Sequence, residues 1–193
     1  MEDKIVRYSI DTNRSRLTIQ VGVTGLFAAF AHDPKIAIRD FTGSVEFMPE
    51  MIEQSSLSFK IKADSLESID DIETKYRKEI VRVTREEVLE TSRYPYISFQ
   101  STNISGNKVG KGQYLIKIEG DLSLHGITRK CSIDTQVWFV HASLRAHGEL
   151  RLLQTDYGIK LISAAAISSV TGGTIKVKDE VKFSFDIVAY EDK

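Results

Sequence analysis

The chain has 193 residues, of which 41% are apolar and 27% charged, and its formal net charge is -1. That size suits one domain over residues 1–193, and the near-neutral balance excludes a bulk electrostatic case for nucleic acid or an anionic membrane surface. The single cysteine, Cys131, excludes an intrachain disulfide, and no apolar run has the length of a membrane-spanning helix.

The N-terminal Met1-Glu2-Asp3-Lys4 is polar and leads straight into a strand-like run, with no secretory pattern ahead of it. The expectation is a cytoplasmic protein, or a periplasmic one if a leader has been trimmed away. Val6, Tyr8 and Ile10 alternate with polar neighbours, and after the turn-forming Asp11-Thr12-Asn13-Arg14 come Leu17, Ile19, Val21 and Val23. Phe41, Gly43, Val45 and Phe47 follow, then Leu57, Phe59, Ile61 and Ala63. Alternation with a period of two predicts strands with one apolar and one polar face.

Between Asp70 and Thr91 the period changes. Ile72, Tyr76, Ile80 and Val83 recur at helical spacing, with Ile69 on the same side, and predict one amphipathic helix near residues 70–91. Ser68, Asp70 and Asp71 are candidate N-caps, Glu73 and Arg77 a favourable i,i+4 pair, and Pro95 blocks helix beyond Tyr94. Strand alternation then resumes through Tyr114 to Leu124, Cys131 to Phe139, Leu144 to Leu152 and Val181 to Ala189. Gly106, Gly110, Gly112, the His125-Gly126 pair and Gly172-Gly173 punctuate the connections.

Many antiparallel strands with one apolar face each must form a sandwich or a closed barrel. Long runs joined by short connections favour an up-and-down barrel of about eight strands, whose interior is wide enough for one small ligand. Gly43, Gly120, Ala146 and Gly148 fall on the apolar phase. They predict either a lumen or local bends and bulges. If a lumen exists, its expected wall is Phe27, Phe30, Phe47, Phe59, Phe99, Ile118, Leu122, Val137, Leu150 and Phe183; the alternative for each is ordinary core packing. His32 follows the apolar Leu26–Ala31 stretch, where it either meets a ligand head group or satisfies a loop carbonyl. The helix either caps one mouth, with Lys75, Lys78, Arg82, Arg85 and Glu86 toward water, or packs on the outside.

Several segments resemble the YceI family. They are Tyr8-Ser9-Ile10-Asp11 with Ser15, Phe41-Thr42-Gly43 with Val45-Glu46-Phe47, and Tyr94-Pro95-Tyr96-Ile97-Ser98-Phe99-Gln100-Ser101-Thr102. Gly120 to Thr128 and Asp156-Tyr157-Gly158-Ile159 complete the series, which spans almost the whole chain. Arg85 to Arg93 lacks the Asp-His and Phe-Phe pairs common in that family, and Gly25 to Pro34 is more apolar than usual. The resemblance implies an all-β, single, lipocalin-like extended barrel that binds a polyisoprenoid, an isoprenoid quinone or a fatty-acid-like lipid. It carries over no catalytic residue and implies no required cofactor.

The remaining motifs offer little chemistry. Gly106 to Gly112 is one residue short of a phosphate loop and no helix follows it, so a hairpin is expected. His32, His125, His141 and His147 lack metal-site spacing, so no metal is expected. Cys131 lies on an apolar phase, which predicts burial. The leading expectation is a binding or transport protein for an apolar amphiphile. The alternatives are an enzyme acting on a lumen-bound lipid through His32 and Asp33, and a solid-cored structural or interaction module. A homodimer is compatible with all three.

Overall fold

The computed structural model describes residues 5–24, 33–161 and 176–192. Eleven antiparallel strands are present among them: β1 (Val6–Ile10), β2 (Arg16–Thr24), β3 (Lys35–Ile38), β4 (Phe41–Phe47), β5 (Ser56–Lys62), β6 (Leu66–Ser68), β7 (Tyr96–Gly110), β8 (Gln113–Leu124), β9 (Ile127–Val140), β10 (Ser143–Leu153) and β11 (Lys176–Glu191). One helix, α1 (Thr74–Val83), interrupts them. Eight strands close a ring in the order β1-β4-β5-β7-β8-β9-β10-β11, with β11 returning to β1. The alternating pattern thus resolves as a barrel rather than a sandwich, and β2, β3 and β6 extend it.

Ring and extension share one edge of β11. Its C-terminal part pairs with β1, Ala189 opposite Ile10, while Asp186 back to Lys176 pairs with β2. The chain crosses between the two at Asp11–Ser15. There the Ser15 hydroxyl, 8% exposed, donates to the Asp11 carbonyl (2.7 Å) and accepts from the Val188 N–H (3.0 Å). Asp11 Oδ1 accepts from the Asn13 N–H at 2.9 Å. The short Asp and Ser side chains satisfy backbone groups that a broken strand would leave unpaired.

The same offset recurs at two further places. β3 leads into β4 through Arg39 and Asp40, and β5 into β6 through Ala63–Ser65. Backbone bonds from Arg39 N–H to the Ser65 carbonyl (3.2 Å) and from Lys62 N–H to the Asp40 carbonyl (2.9 Å) hold this corner. Beyond the corner β2, β3 and β6 run side by side. The β6 edge meets α1 and the turn after it. Arg85 donates to the Leu66 carbonyl at 2.6 Å, which covers a group a bare strand edge would expose.

α1 is narrower than the 70–91 span predicted. Residues before it are pinned to β3: Ile69 N–H donates to the Lys35 carbonyl (3.1 Å), and the Asp70 carboxylate accepts from Lys35 N–H (3.1 Å). Asp70 therefore serves β3 instead of capping the helix, and Ile69 is 43% exposed instead of joining the apolar stripe. Glu73 occupies the N-cap without a side-chain bond to the helix and pairs with Lys75 (3.1 Å), not Arg77. After Val83 the helix widens into a π-turn, Thr84–Val88, closed by Leu89 N–H to the Thr84 carbonyl (2.9 Å). The Thr84 hydroxyl donates to the Ile80 carbonyl at 2.7 Å. Glu90, at φ +44, ends the run.

One end of the barrel is plugged by aromatic rings. Phe47 and Phe139 stack at 4.6 Å between centroids, and Tyr114 meets Phe47 edge-on at 5.3 Å. Tyr8 lies 5.6 Å from Phe139; burial pushes its hydroxyl pKa up. The hairpin at the opposite end of β8 turns through His125 (φ +52) and Gly126 (φ +76). Both central residues have positive φ, as the strand twist requires of a two-residue loop.

The inward glycines are neither gaps nor, in general, bends. A Cβ on Gly120 would stand 2.5 Å from Phe99 Cζ, one on Gly148 2.5 Å from Phe185 Cζ, and one on Gly43 2.8 Å from Phe59 Cδ2. Each glycine is a socket for a ring. Pairing is continuous at Gly43 and Gly148, and a bulge lies beside Gly120, between Ser101 and Asn103 on β7. Gly120→Ala would also press its Cβ to 2.4 Å from the Gln100 carbonyl oxygen, a backbone atom. It should cost about 1–3 kcal/mol, lowering Tm by about 2–4 °C per kcal/mol in a thermal melt. Gly22→Ala, whose Cβ would meet only the flexible Lys178 side chain, should lose much less.

Candidate ligand cavity

Among the described residues the barrel holds a larger and a smaller cavity. The larger, about 440 Å³, lies in the half bounded by the β2-β3-β6 extension and the helix. Ile19, Val21 and Val23 of β2 and Ile36 and Ile38 of β3 form one wall. Leu122 and Leu124 of β8, Leu150 and Leu152 of β10, and Val181 and Phe183 of β11 form another. The predicted stripe Ile72, Tyr76, Ile80 and Val83 closes the third side, so the helix lines the interior. Away from the cavity Arg82 reaches Glu86 (2.8 Å) and Glu87 (3.1 Å), and at the rim it reaches Glu79 (2.7 Å), whose carboxyl it holds below the usual range.

Polar members of this wall lie past the strand ends or on the helix. They are Asp70, Gln154, Lys160, Glu79 and Thr84. Gln154 is tied down, its amide donating to the Lys178 carbonyl at 2.9 Å in the bulged part of β11. Asp179 of that bulge accepts from the Thr155 N–H (2.9 Å) and hydroxyl (2.6 Å), which lowers its pKa. His125 braces the same end: its Nδ1 is 3.1 Å from the Tyr157 carbonyl, its ring packs on Tyr94 at 4.4 Å, and Nε2 lies 3.7 Å from Glu90.

The second cavity, about 130 Å³, lies toward the aromatic plug. Phe47, Phe59, Phe99, Phe185, Ile118 and Val137 are among its lining residues, with Ala146. Thr135 is its buried polar member, 4% exposed, and its hydroxyl has no hydrogen-bond partner among the described residues. A hydroxyl buried without a partner costs stability.

Of the wall expected from sequence, Leu122, Leu150 and Phe183 thus line the large cavity, and Phe47, Phe59, Phe99, Ile118 and Val137 the small one. Phe27, Phe30 and His32 lie outside the described residues. Asp33, paired with His32 in the enzyme alternative, accepts from the Val23 N–H at 3.0 Å and so holds the end of β2. The β2 wall carries the alternation read from Leu17, Ile19, Val21 and Val23, whereas β3, four residues long, is too short for alternation to mark it. Continuing each strand's phase by one step, from Leu122 to Leu124 and from Leu150 to Leu152, finds more of the wall.

Metal-binding groupings of three or more His, Cys, Asp or Glu residues are absent among the described residues. No helix there is long and apolar enough to cross a membrane. His147 pairs with Asp186 at 2.8 Å, and Gly106 to Gly112 forms the β7–β8 hairpin.

Closed antiparallel strands around an apolar cavity, with a helix as part of its wall, define a lipocalin-like barrel. The chain belongs to the YceI-like family, whose domain model matches residues 8–189. A UPF0312 protein of Vibrio cholerae is 26% identical over 166 residues, covering 82% of this chain and 80% of that one. A UPF0312 protein of Shewanella denitrificans is 25% identical over 172 residues, covering 84% and 82%. Two solved structures share the fold. BcnA of Burkholderia cenocepacia superposes with TM-score 0.68 at 20% identity, covering 93% of this chain and 98% of that one. A polyisoprenoid binding domain from Saccharophagus degradans, implicated in plant cell wall breakdown, gives 0.68 at 15% identity, covering 96% and 98%.

Two outcomes are expected from these groups. Thr135→Val keeps the shape and removes the unpartnered hydroxyl, so it should stabilise the fold by about 1 kcal/mol, raising Tm by about 2–4 °C. Cys131 is half-buried, and burial together with the Asp121 carboxylate pushes its thiol pKa up. Less thiolate is therefore present near neutral pH, and labelling by a disulfide reagent should be slower in the native protein than after unfolding.

Proposed function

We propose that this protein binds an apolar amphiphile in its larger cavity and carries or sequesters it, without catalysing a reaction. A polyisoprenoid, an isoprenoid quinone or a fatty-acid-like lipid fits the wall. The observation that carries the reading is the aliphatic chamber of about 440 Å³ itself. Sites for small molecules fall at about 300–1,000 Å³ with mostly apolar linings. Protein interiors are otherwise packed nearly to crystal density, so a chamber of this size is a feature the fold maintains.

Transfer of a hydrocarbon tail into such a chamber gains roughly 25 cal/mol per Å² of apolar area removed from water. The term is non-directional, so the wall selects for length and bulk more than for chemical detail. The polar groups beyond the strand ends suit the head of an amphiphile, with the Lys160 ammonium able to donate hydrogen bonds. The polyisoprenoid binding domain among the structural neighbours supports the same ligand class.

Organic extraction of gently purified protein followed by mass spectrometry should recover an isoprenoid or acyl lipid. Leu152→Trp, which fills the chamber from β10, should weaken binding of a fluorescent isoprenoid probe about tenfold or more, about 1.4 kcal/mol, with the far-UV circular dichroism unchanged. Recovery of no lipid, with no binding of isoprenoid probes by the unaltered protein, sinks the reading.

A further inference from the structure

The two cavities share no lining residue, and the boundary between them falls on one level of the barrel. On β8, Leu122 faces the large cavity and Ile118 the small one; on β10, Leu150 and Ala146 do the same. The inward position between each pair is a glycine, Gly120 or Gly148. On β4 the corresponding level is Gly43, opposite Phe59. The space above these glycines holds the rings of Phe99, Phe185 and Phe59. Phe41, 3% exposed, stacks on Phe59 at 5.6 Å.

We infer that the Phe59, Phe99 and Phe185 rings, seated on the Gly43, Gly120 and Gly148 level, form a partition that sets the longest tail the barrel accepts. The inference rests on the lipid-binding reading above. The layer is a single side chain deep: on β5, β7 and β11 the next inward residue, Ile61, Ile97 or Phe183, faces the large cavity. Successive inward residues are about 7 Å apart along a strand. A tail descending through the large cavity therefore stops against the rings, with the smaller chamber behind them. Rings seated in glycine sockets have no room to sink further into the wall. Extra length must remain at the polar end, where it gains little.

The homologous alcohols geraniol, farnesol and geranylgeraniol, competing against a bound fluorescent naphthalene sulfonate, test this. Burial of each added methylene is worth about fourfold in affinity. The unaltered protein should gain steeply along the early part of the series and then level off. Phe99→Ala with Phe185→Ala joins the chambers, so the gain should continue to the longest alcohol while geraniol affinity stays within about twofold. Should the double alanine variant not fold, the paired leucine variants serve the same comparison. Ala146→Leu gives an independent reading by filling the lower chamber, and it should leave all three affinities unchanged. A series without levelling, a variant profile superimposable on the parent's, or loss of long-chain binding in Ala146→Leu would each overturn the partition. Absence of binding of every alcohol by the unaltered protein would instead overturn the lipid reading on which it stands.

Discussion

Everything in this fold depends on β11 being paired along both edges. β10 takes one edge from Glu180 to Tyr190, while β1 and β2 share the other. The β1 pairing closes the ring and leaves no exposed edge there. The β2 pairing starts a second run of strands that leaves the ring and opens room beside it. The handover between them turns on Ser15, whose hydroxyl bridges the Asp11 carbonyl and the Val188 backbone. Without that break, one straight strand would continue the narrow barrel and the larger cavity would have no extra wall.

The helix answers the problem that the extension creates. Among the described residues no strand pairs with the far side of β6, and α1 with its π-turn lies against it. The apolar stripe of α1 replaces the missing strand face, while Arg82 ties the outward carboxylates together. Surface ion pairs contribute little individually, so burial of Ile80 and Val83 against the chamber is the stronger hold on the helix.

Glycine and phenylalanine act as one unit inside the barrel. A ring on one strand needs a vacancy on its neighbour, and Gly120, Gly148 and Gly43 supply it. Close packing is thereby restored at mid-barrel, with cavities of about 440 and 130 Å³ on its two sides. In the proposed reading this makes a container with a floor, a different object from an open tube.

How much of this could be read from the chain follows from the range of each signal. Alternation is local, so the longer strands, their apolar phases and the helical stripe from Ile72 to Val83 were legible in order, whereas β3 and β6, four and three residues long, carry too little of it to be read. So was the His125-Gly126 turn, because its chemistry sits in adjacent residues. The closed barrel and the family followed from the same patterns and from the Tyr94 to Thr102 and Gly120 to Thr128 segments. The helix start was misjudged because Asp70 is claimed by Lys35 of β3, a partner 35 residues away. The meaning of the glycines was likewise hidden. A period of two says that Gly148 faces inward, but only the register between strands sets Phe185 opposite it and fills its place with a ring. Register is a relation between distant segments, and it alone decided where the interior is packed and where it is hollow.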